Sequence, residues 1–498
     1  MRIVNKINKK RFLRQFLFKK KFFAKKLPNS QFSFLNSPFK SVFCLLLCLF
    51  LTLSACSSLG GTSSHSKDGK PAEESAADGH PRDAAYWVDR LDTLDGRYSG
   101  RVFSIVTTSR DFFDSDPDTL LGMAVSDRNT LVSQKFGVGF EITESDSATI
   151  KSRLRAANKS GSPYADLICA PALVLAELAA EGLLENLYSM PYMDFSAGYM
   201  PKRDIEAQTA AGSLYFLSSP LTFSAKDCIA VFYDKGLADK ADLNLIRMVH
   251  EGLWSWDRLY GSAAAAKEAG AGYGIGSLLP GGELAEAVYL SSGNSLISAG
   301  RDVNPSVSYN ESSAELTENV LNKIFSSGGF YTEASGDAAI RAFSNGNIAF
   351  LIGKAETAAF LDGSKREWGM LPLPKHSEGQ SGYFSPVSPS AAAVAVPRGS
   401  SDSAFAGCIL NALFASTLDL PETVLKTTYM NRSFWSNNTS VMLFLIAGSK
   451  KYDLGSLYSS VPAVSAIGAD RLVQGAASAP PEKSALDAFN AFSNKVFK

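Results

Sequence analysis

The sequence predicts an α/β protein whose first half contains an open, largely parallel sheet covered by helices. Strand patterns alternate with helical patterns between residues 100 and 187, which is typical of β-α-β units. The segment ADLICAPA at residues 165–172 is almost continuously apolar, as expected for a strand buried on both faces of a parallel sheet. The length of 498 residues and the 45% hydrophobic content favour two to four domains with more than one core.

The spacing of apolar side chains sets the elements of this first half. Strands are predicted at residues 100–108, 138–143, 165–172, 212–219 and 227–234, and helices at residues 119–136, 148–158 and 173–187. The gap at residues 220–226 is predicted to be a first crossing of the chain between two lobes.

The second half is predicted to form a second lobe before the chain returns to the first. Its elements are an ordered segment at 253–259, helices near 284–289 and 314–325, and strands at 347–352, 367–374 and 391–397. The Ser-, Gly- and Pro-rich passage at 376–390 is the candidate second crossing. The segment GAGYGIG at 270–276 follows an Ala-rich helix and lacks the dinucleotide-binding spacing, so a loop is predicted there.

The N-terminal segment has the pattern of a targeting signal. Residues 1–55 contain twelve Lys or Arg and no acid, and they end in a 13-residue apolar run at residues 42–54. The sequence LSAC that ends at Cys56 resembles the bacterial lipobox, so we predict a lipoprotein signal peptide at 1–55 and a lipid anchor on Cys56. Alternatives are a plain signal peptide or an uncleaved anchor helix. Residues 56–95 are predicted to be a flexible tether, because their first part is polar and rich in Gly and Ser.

Charge and ligand-type residues exclude several classes of function. From Cys56 onward, 37 basic residues face 49 acidic ones, which argues against nucleic acid as a partner. The histidines show no metal-ligand spacing, and neither a metal nor another cofactor is expected. Cys169, Cys228 and Cys408 lie in apolar runs and are predicted to be buried small side chains.

Several segments, in the same order along the chain, resemble bacterial extracellular solute-binding protein family 1, the ABC transporter sugar-binding lipoproteins. They cover about residues 100–495. The matching segments are ADLI at 165–168 followed by Pro171, the helix at 178–187, VFYDK at 231–235, GLWSWD at 252–257, FSNGNIAF at 343–350, WGMLPLP at 368–374, and the return at 391–397 and 404–414. Asp234 stands where the family more often has Asn.

The resemblance implies a periplasmic-binding-protein-like II fold, in which two α/β lobes joined by a multi-strand hinge enclose a ligand cleft. Lobe 1 would comprise residues 96–222 plus 380–422, and lobe 2 residues 223–379 plus 423–498. In open α/β sheets, ligands lie beyond the carboxyl ends of the strands. The candidate ligand contacts in lobe 1 are therefore Thr107, Thr108, Ser109, Pro171 and Ser219.

Aromatic side chains are the second requirement for a sugar, because a ring packs on the apolar face of a pyranose. Tyr383, Phe384 and Trp435 are the candidates, since Trp254, Trp256 and Trp368 are expected in cores. Glu356 is a further candidate contact, although a solvated acid at a helix start is an open alternative.

The function expected from the resemblance is capture of a small solute, in the first place a carbohydrate, and its delivery to the transmembrane subunits of an ABC permease. The protein would be a monomer, held on the extracytoplasmic face of the cell membrane by its lipid. The alternative is a surface lipoprotein of the same fold acting as a sensor subunit or a secreted enzyme. No GxSxG or HExxH motif supports an enzyme, and none is expected.

Overall fold

The computed structural model describes residues 82–93, 96–326, 329–331, 336–361, 364, 366–400, 402–418, 437–473 and 481–497. Within them, two sheets flanked by helices form an α/β fold of two lobes. The predicted signal peptide, Cys56 and Trp435 lie outside the described residues. No helix in the described ranges combines the length and the apolar character needed to cross a membrane.

The strands, numbered along the chain, are β1 Val102–Thr107, β2 Gly139–Glu144, β3 Leu167–Pro171, β4 Ile229–Asp234, β5 Tyr273–Ser277, β6 Ile297–Gly300, β7 Val303–Val307, β8 Phe330–Tyr331, β9 Ile348–Lys354, β10 Trp368–Pro372, β11 Ser385–Pro386, β12 Ala392–Ala395 and β13 Lys450–Lys451. The helices are α1 Ala84–Asp89, α2 Leu120–Phe136, α3 Ser147–Ser160, α4 Ala172–Ala180, α5 Lys202–Gln208, α6 Lys235–Lys240, α7 Leu245–His250, α8 Trp256–Glu268, α9 Gly281–Leu290, α10 Glu311–Ser326, α11 Gly336–Ser344, α12 Ser403–Ala415, α13 Asn437–Gly448, α14 Leu454–Leu457, α15 Pro462–Ser465, α16 Ala469–Val473 and α17 Lys483–Val496.

The sheet of lobe 1 has the strand order β12-β3-β1-β2. β1 runs parallel to β2 and β3, whereas β12 runs antiparallel to β3, with Ala392 opposite Pro171. Side-chain caps at Thr119 and Asp146 start helices α2 and α3, and left-handed glycines end both helices. These short connections place the carboxyl ends of β1 and β3 at one edge, beside the start of β12.

The sheet of lobe 2 has the order β10-β4-β9-β5-β8 and mixes the two strand directions. β9 and β5 are parallel, whereas β4 is antiparallel to β9, so Ile229 at the start of β4 lies opposite Lys354 at the end of β9. Trp254 and Trp256 are fully buried behind this sheet and Trp368 is buried within it, which confirms that they belong to the core.

Three predicted elements differ from the structure. The strand predicted at 212–219 is an irregular segment that pairs with β12 only through a bridge between Leu217 and Val394, and the Gln208 side chain bonds both the N–H and the C=O of the adjacent Ser218. The loop predicted at 270–276 is wrong in its second part, where β5 lies inside the sheet. The helix predicted at 173–187 ends at Ala180, because Gly182 adopts a positive φ of 77° that closes the helix.

The boundary predicted at residue 95 is too late for the start of the ordered part. Helix α1 lies within the predicted tether, and Val88 is buried in the core of lobe 1. The Trp87 ring packs edge-on against Tyr199, with 5.4 Å between the ring centroids. Order therefore begins before residue 96.

Within the described residues, the chain crosses twice between the sheets, and the C-terminal segment contacts both lobes. The chain passes to the second sheet before β4 and returns from β10 to β12. In the C-terminal segment, the Val496 carbonyl accepts a hydrogen bond from the Tyr215 hydroxyl at 2.6 Å, and the Ser456 hydroxyl donates to Glu286 at 2.8 Å. A continuous apolar cluster extends over both sheets at this junction.

The three described cysteines, Cys169, Cys228 and Cys408, are free and buried, as expected. Burial raises the pKa of each thiol to about 12. These thiols therefore stay protonated and serve as small apolar side chains.

Candidate functional site

The end of β1 carries three hydroxyl-bearing residues with different roles. Thr107 is fully buried, and its hydroxyl donates to the Ser109 carbonyl at 2.7 Å and accepts from the Ser109 N–H. Thr108 and Ser109 are half-buried, and the Thr108 N–H donates to the Cys169 carbonyl at 3.0 Å. The Thr107 hydroxyl is therefore used to shape the turn, whereas Thr108 and Ser109 keep part of their surface at the edge.

Pro171 and Ser219, the other two contacts predicted in lobe 1, also differ in their exposure. Pro171 ends β3 at this edge and is half-buried. Ser219 is fully buried within the first crossing, and its hydroxyl has no hydrogen-bond partner among the described residues. Pro171 is thus placed at the edge, whereas the Ser219 side chain is buried.

Glu356 lies where the first crossing meets the end of β9. Its carboxylate accepts hydrogen bonds from Lys226 at 2.7 Å and from Lys354 at 2.5 Å. Although burial raises the pKa of the Glu356 carboxyl, the two ammonium groups outweigh it and hold the pKa below its ordinary value. The predicted polar contact is therefore a paired, half-buried carboxylate rather than a freely solvated acid.

Asp227 lies near the same two lysines, Lys226 and Lys354. It is 1% exposed, and its carboxyl oxygens lie 3.6 Å from the Lys354 ammonium and 3.8 Å from the Lys226 ammonium. Burial raises its pKa to about 6, against the opposing effect of the two lysines. At neutral pH, two cations therefore face two carboxylates.

The charged group extends to the second crossing and to lobe 1. The Lys354 ammonium donates to the Ser390 hydroxyl at 3.4 Å, and Ser390 is bonded to Ser388 at 2.7 Å. The Lys226 ammonium lies 5.8 Å from the centre of the Phe112 ring, just beyond the end of β1. We name Lys226, Asp227, Lys354, Glu356, Ser388 and Ser390 the junction cluster, because it lies where the edges of both sheets meet.

Two exposed phenylalanines lie on elements that pack against the first crossing. Phe360, on the 3-10 turn Ala355–Leu361, is 67% exposed, and Phe444, on α13, is 45% exposed. Both elements pack against residues 224–227, which include two members of the cluster. The sequence offered no signal for either ring, since each lies in an apolar segment that would equally be buried.

Tyr383 and Phe384 are not brought to the junction cluster. The Tyr383 hydroxyl donates to the Val249 carbonyl at 3.1 Å, and its ring packs with the core of lobe 2. Phe384 packs so tightly on Gly293 that a Cβ there would lie 2.5 Å from the ring. Through these contacts, both rings stabilise the packing of lobe 2.

A surface cavity of about 460 Å³ lies at the other end of β4, lined by residues that include Tyr233, Lys235 and Asp242. β4 begins at the junction cluster and ends at this cavity, so the two places are separated by the length of the strand. In the part of the chain that the structure describes, no three His, Cys, Asp or Glu side chains are grouped to hold a metal ion.

Three solved structures that share this fold illustrate the likeness. The GacH receptor of Streptomyces glaucescens, solved without ligand and with acarbose, is 15% identical, with a TM-score of 0.51 over 80% of this chain and 98% of that one. The ABC substrate-binding protein Lmo0181 of Listeria monocytogenes, solved with cycloalternan, is 15% identical, with a TM-score of 0.50 over 80% and 100%. A cyclo/maltodextrin-binding protein with maltotetraose is 17% identical, with a TM-score of 0.51 over 79% and 97%.

A comparison with curated protein sequences gave no match. The family described as bacterial extracellular solute-binding protein matches residues 132–441, more than half of the chain. This match includes strands of both sheets, together with Lys226, Asp227, Lys354 and Glu356. The protein therefore belongs to the bacterial extracellular solute-binding protein family.

Proposed function

We propose that this protein is the solute receptor of an ABC importer and that its solute is an uncharged carbohydrate, bound unaltered between the lobes. The junction cluster carries the proposal. Its carboxylates only accept hydrogen bonds and its ammonium groups only donate them, so together they match sugar hydroxyls, which do both. Because its charges balance, a charged solute would be buried without a counter-charge.

Two exposed rings fit the same kind of solute. Phe360 and Phe444 expose flat apolar surfaces on elements that contact residues 224–227, and such surfaces pack on the apolar face of a pyranose. Thr108, Ser109 and Pro171 would form the opposite wall. The sugars named for the similar structures, cycloalternan and maltotetraose, are uncharged and support this choice.

A thermal-shift screen of the full-length protein tests the proposal. Maltotetraose or cycloalternan should raise the melting temperature, because a ligand that binds only the folded state stabilises it, while spermidine and a short peptide should not. The recovered sugar should keep its original mass. A shift with spermidine or the peptide alone, or a cleaved sugar, would contradict the proposal.

Matched variants test the site itself. Glu356→Gln and Phe444→Ala should each weaken sugar binding about tenfold, because each removes one of the proposed contacts. Glu181→Gln removes the partner of Arg155 on the lobe 1 surface, and Phe325→Ala removes another exposed ring, so neither should change affinity. Equal losses in the site variants and the controls would disprove the placement.

We further propose that a lipid on Cys56 holds the folded part, as a monomer, on the extracytoplasmic face of the membrane, with the tether between them. Two acyl chains on one residue give stable membrane attachment. Cys56→Ser should release the protein from membranes in a fractionation experiment, whereas Cys48→Ser should not. Retention of the Cys56→Ser protein would mean that residues 42–54 anchor it uncleaved.

A further inference from the structure

Residues Lys450 and Lys451 form β13, one of three chain segments that run side by side where the lobes join. The Ser385 N–H donates to the Ser449 carbonyl at 2.9 Å, and the Val387 N–H donates to the Lys451 carbonyl at 3.0 Å. Val387 also forms a bridge with Cys228 in the first crossing. β13 is therefore hydrogen-bonded to the second crossing, which in turn is bonded to the first.

The side chains of the two lysines reach opposite lobes. The Lys450 ammonium pairs with Asp204 on α5 of lobe 1 at 2.5 Å and donates to Ser224 at 3.3 Å. The Lys451 ammonium donates to Ser295, just after α9 of lobe 2, at 2.8 Å. Successive side chains of a strand point to opposite faces, so a two-residue strand is the shortest element that can make this double attachment.

The Lys450 attachment ends on a buried carboxylate, and the Lys451 attachment joins two half-buried residues. Asp204 is buried, and its burial raises the pKa of the carboxyl, although the Lys450 ammonium opposes that change. Burial likewise lowers the pKa of the Lys451 ammonium. Moving lobe 1 away from β13 would leave the buried Asp204 without its partner, and moving lobe 2 away would break the hydrogen bond between Lys451 and Ser295, so the attachments resist a change in the angle between the lobes.

We infer that Lys450 and Lys451 fix the resting angle between the lobes and thereby tune solute affinity. The affinity part rests on the proposed function. If only a fraction of molecules has the lobes at the binding-competent angle, the apparent Kd rises in inverse proportion to that fraction. Holding this angle makes Lys450 and Lys451 positioning residues, since no contact of either with the solute is needed.

The angle can be measured without any solute. Nitroxide labels on ketone side chains introduced at the exposed positions Arg153 of lobe 1 and Lys240 of lobe 2 report the interlobe distance by double electron–electron resonance in the full-length, detergent-solubilised protein. The variants are Lys451→Met, which leaves Ser295 without its partner and removes a cation that offsets the buried Asp453 carboxylate, and the double variant Lys450→Met with Asp204→Asn, which removes both charges of that pair. Lys483→Met, an exposed lysine of the same C-terminal segment, is the matched control.

Both test variants should melt cooperatively and show a broader distance distribution than wild type, and their Kd for maltotetraose should rise about tenfold, as for a tenfold smaller competent fraction. The control should match wild type in both measurements. A wild-type distance distribution in the folded variants would overturn the inference, and a broadened distribution with unchanged Kd would overturn its affinity part. If no sugar binds the wild type either, the proposed function fails while the distance measurement still decides the role of β13.

Discussion

The two sheets contribute different chemistry to the edge where they meet. The lobe 1 edge offers uncharged groups, the half-buried Thr108 and Ser109 and the backbone around Pro171. Lobe 2 and the first crossing supply charges, with Lys354 and Glu356 meeting Lys226 over the buried Asp227. One side of the site therefore offers hydroxyl groups, and the other offers a balanced set of charges. Substitutions on the two sides should differ in their effects on stability and on its pH dependence.

The largest difference should appear when a lysine is removed on each side. Lys354→Met should lower the free energy of unfolding by about 2 to 3 kcal/mol, because it leaves two carboxylates, one of them buried, facing a single ammonium. Lys151→Met, whose pair with Glu177 in lobe 1 is similarly about a quarter exposed, should cost less than about 1 kcal/mol. Urea unfolding measures both, and equal losses would break the comparison.

The second contrast concerns pH. The pKa of Asp227 is raised by burial from 3.8 to about 6, so the stability it contributes is full below pH 3.8 and is lost as the pH rises through about 6. As the pH rises from 4 to 7, the free energy of unfolding of Asp227→Asn should therefore increase by about 1 to 2 kcal/mol relative to that of wild type.

Asp402 in lobe 1 should show the opposite pH dependence of stability. Burial raises the pKa of its carboxyl. Arg101 and the backbone N–H groups that Asp402 caps lower the pKa by more than burial raises it, so the pKa lies below its ordinary value. The stability that the ionised carboxylate contributes is lost as the pH falls. As the pH rises from 3 to 7, the free energy of unfolding should therefore increase more for wild type than for Asp402→Asn. Parallel pH profiles of the Asp227→Asn and Asp402→Asn variants, measured by chemical unfolding, would contradict these assignments.

The smallest contrast lies within lobe 1, between neighbouring threonines. Thr107→Val should lower stability by about 1 kcal/mol, because it removes a buried hydroxyl that is bonded to Ser109. Thr108→Val should change stability by less than about 0.5 kcal/mol and should weaken sugar binding several-fold. Calorimetric titration and thermal melting separate the two effects, and loss of binding only in Thr107→Val would reverse our assignment.

Much of the fold was predictable from the sequence because apolar periodicity directly reflects burial. β1, β2, β3 and helices α2 and α3 lie within a few residues of their predicted positions. The failures have local causes that no periodicity records. A glutamine side chain captures the backbone of Ser218, and a Gly-rich segment supplies the small residues of β5, where Ala263 lies 3.0 Å from the Cβ position of Gly274.

The site was less predictable than the fold. The rule that ligands lie at strand ends identifies Thr108, Ser109 and Pro171, but it cannot tell which hydroxyls the fold already uses, as it does for Thr107. Lys226, Asp227 and Lys354 were missed, because they come together only when the first crossing packs against the end of β9. Phe360 and Phe444 were missed because exposure of a ring within an apolar segment depends on the packing of its neighbours.

The most direct test is a crystal structure of the protein with the sugar that gives the largest thermal shift. We predict that the sugar lies between the lobes, with hydroxyl groups bonded to Glu356 and Lys354 and one ring face on Phe444. Sugar bound instead in the cavity beside Tyr233 and Asp242, with the junction cluster untouched, would contradict this account.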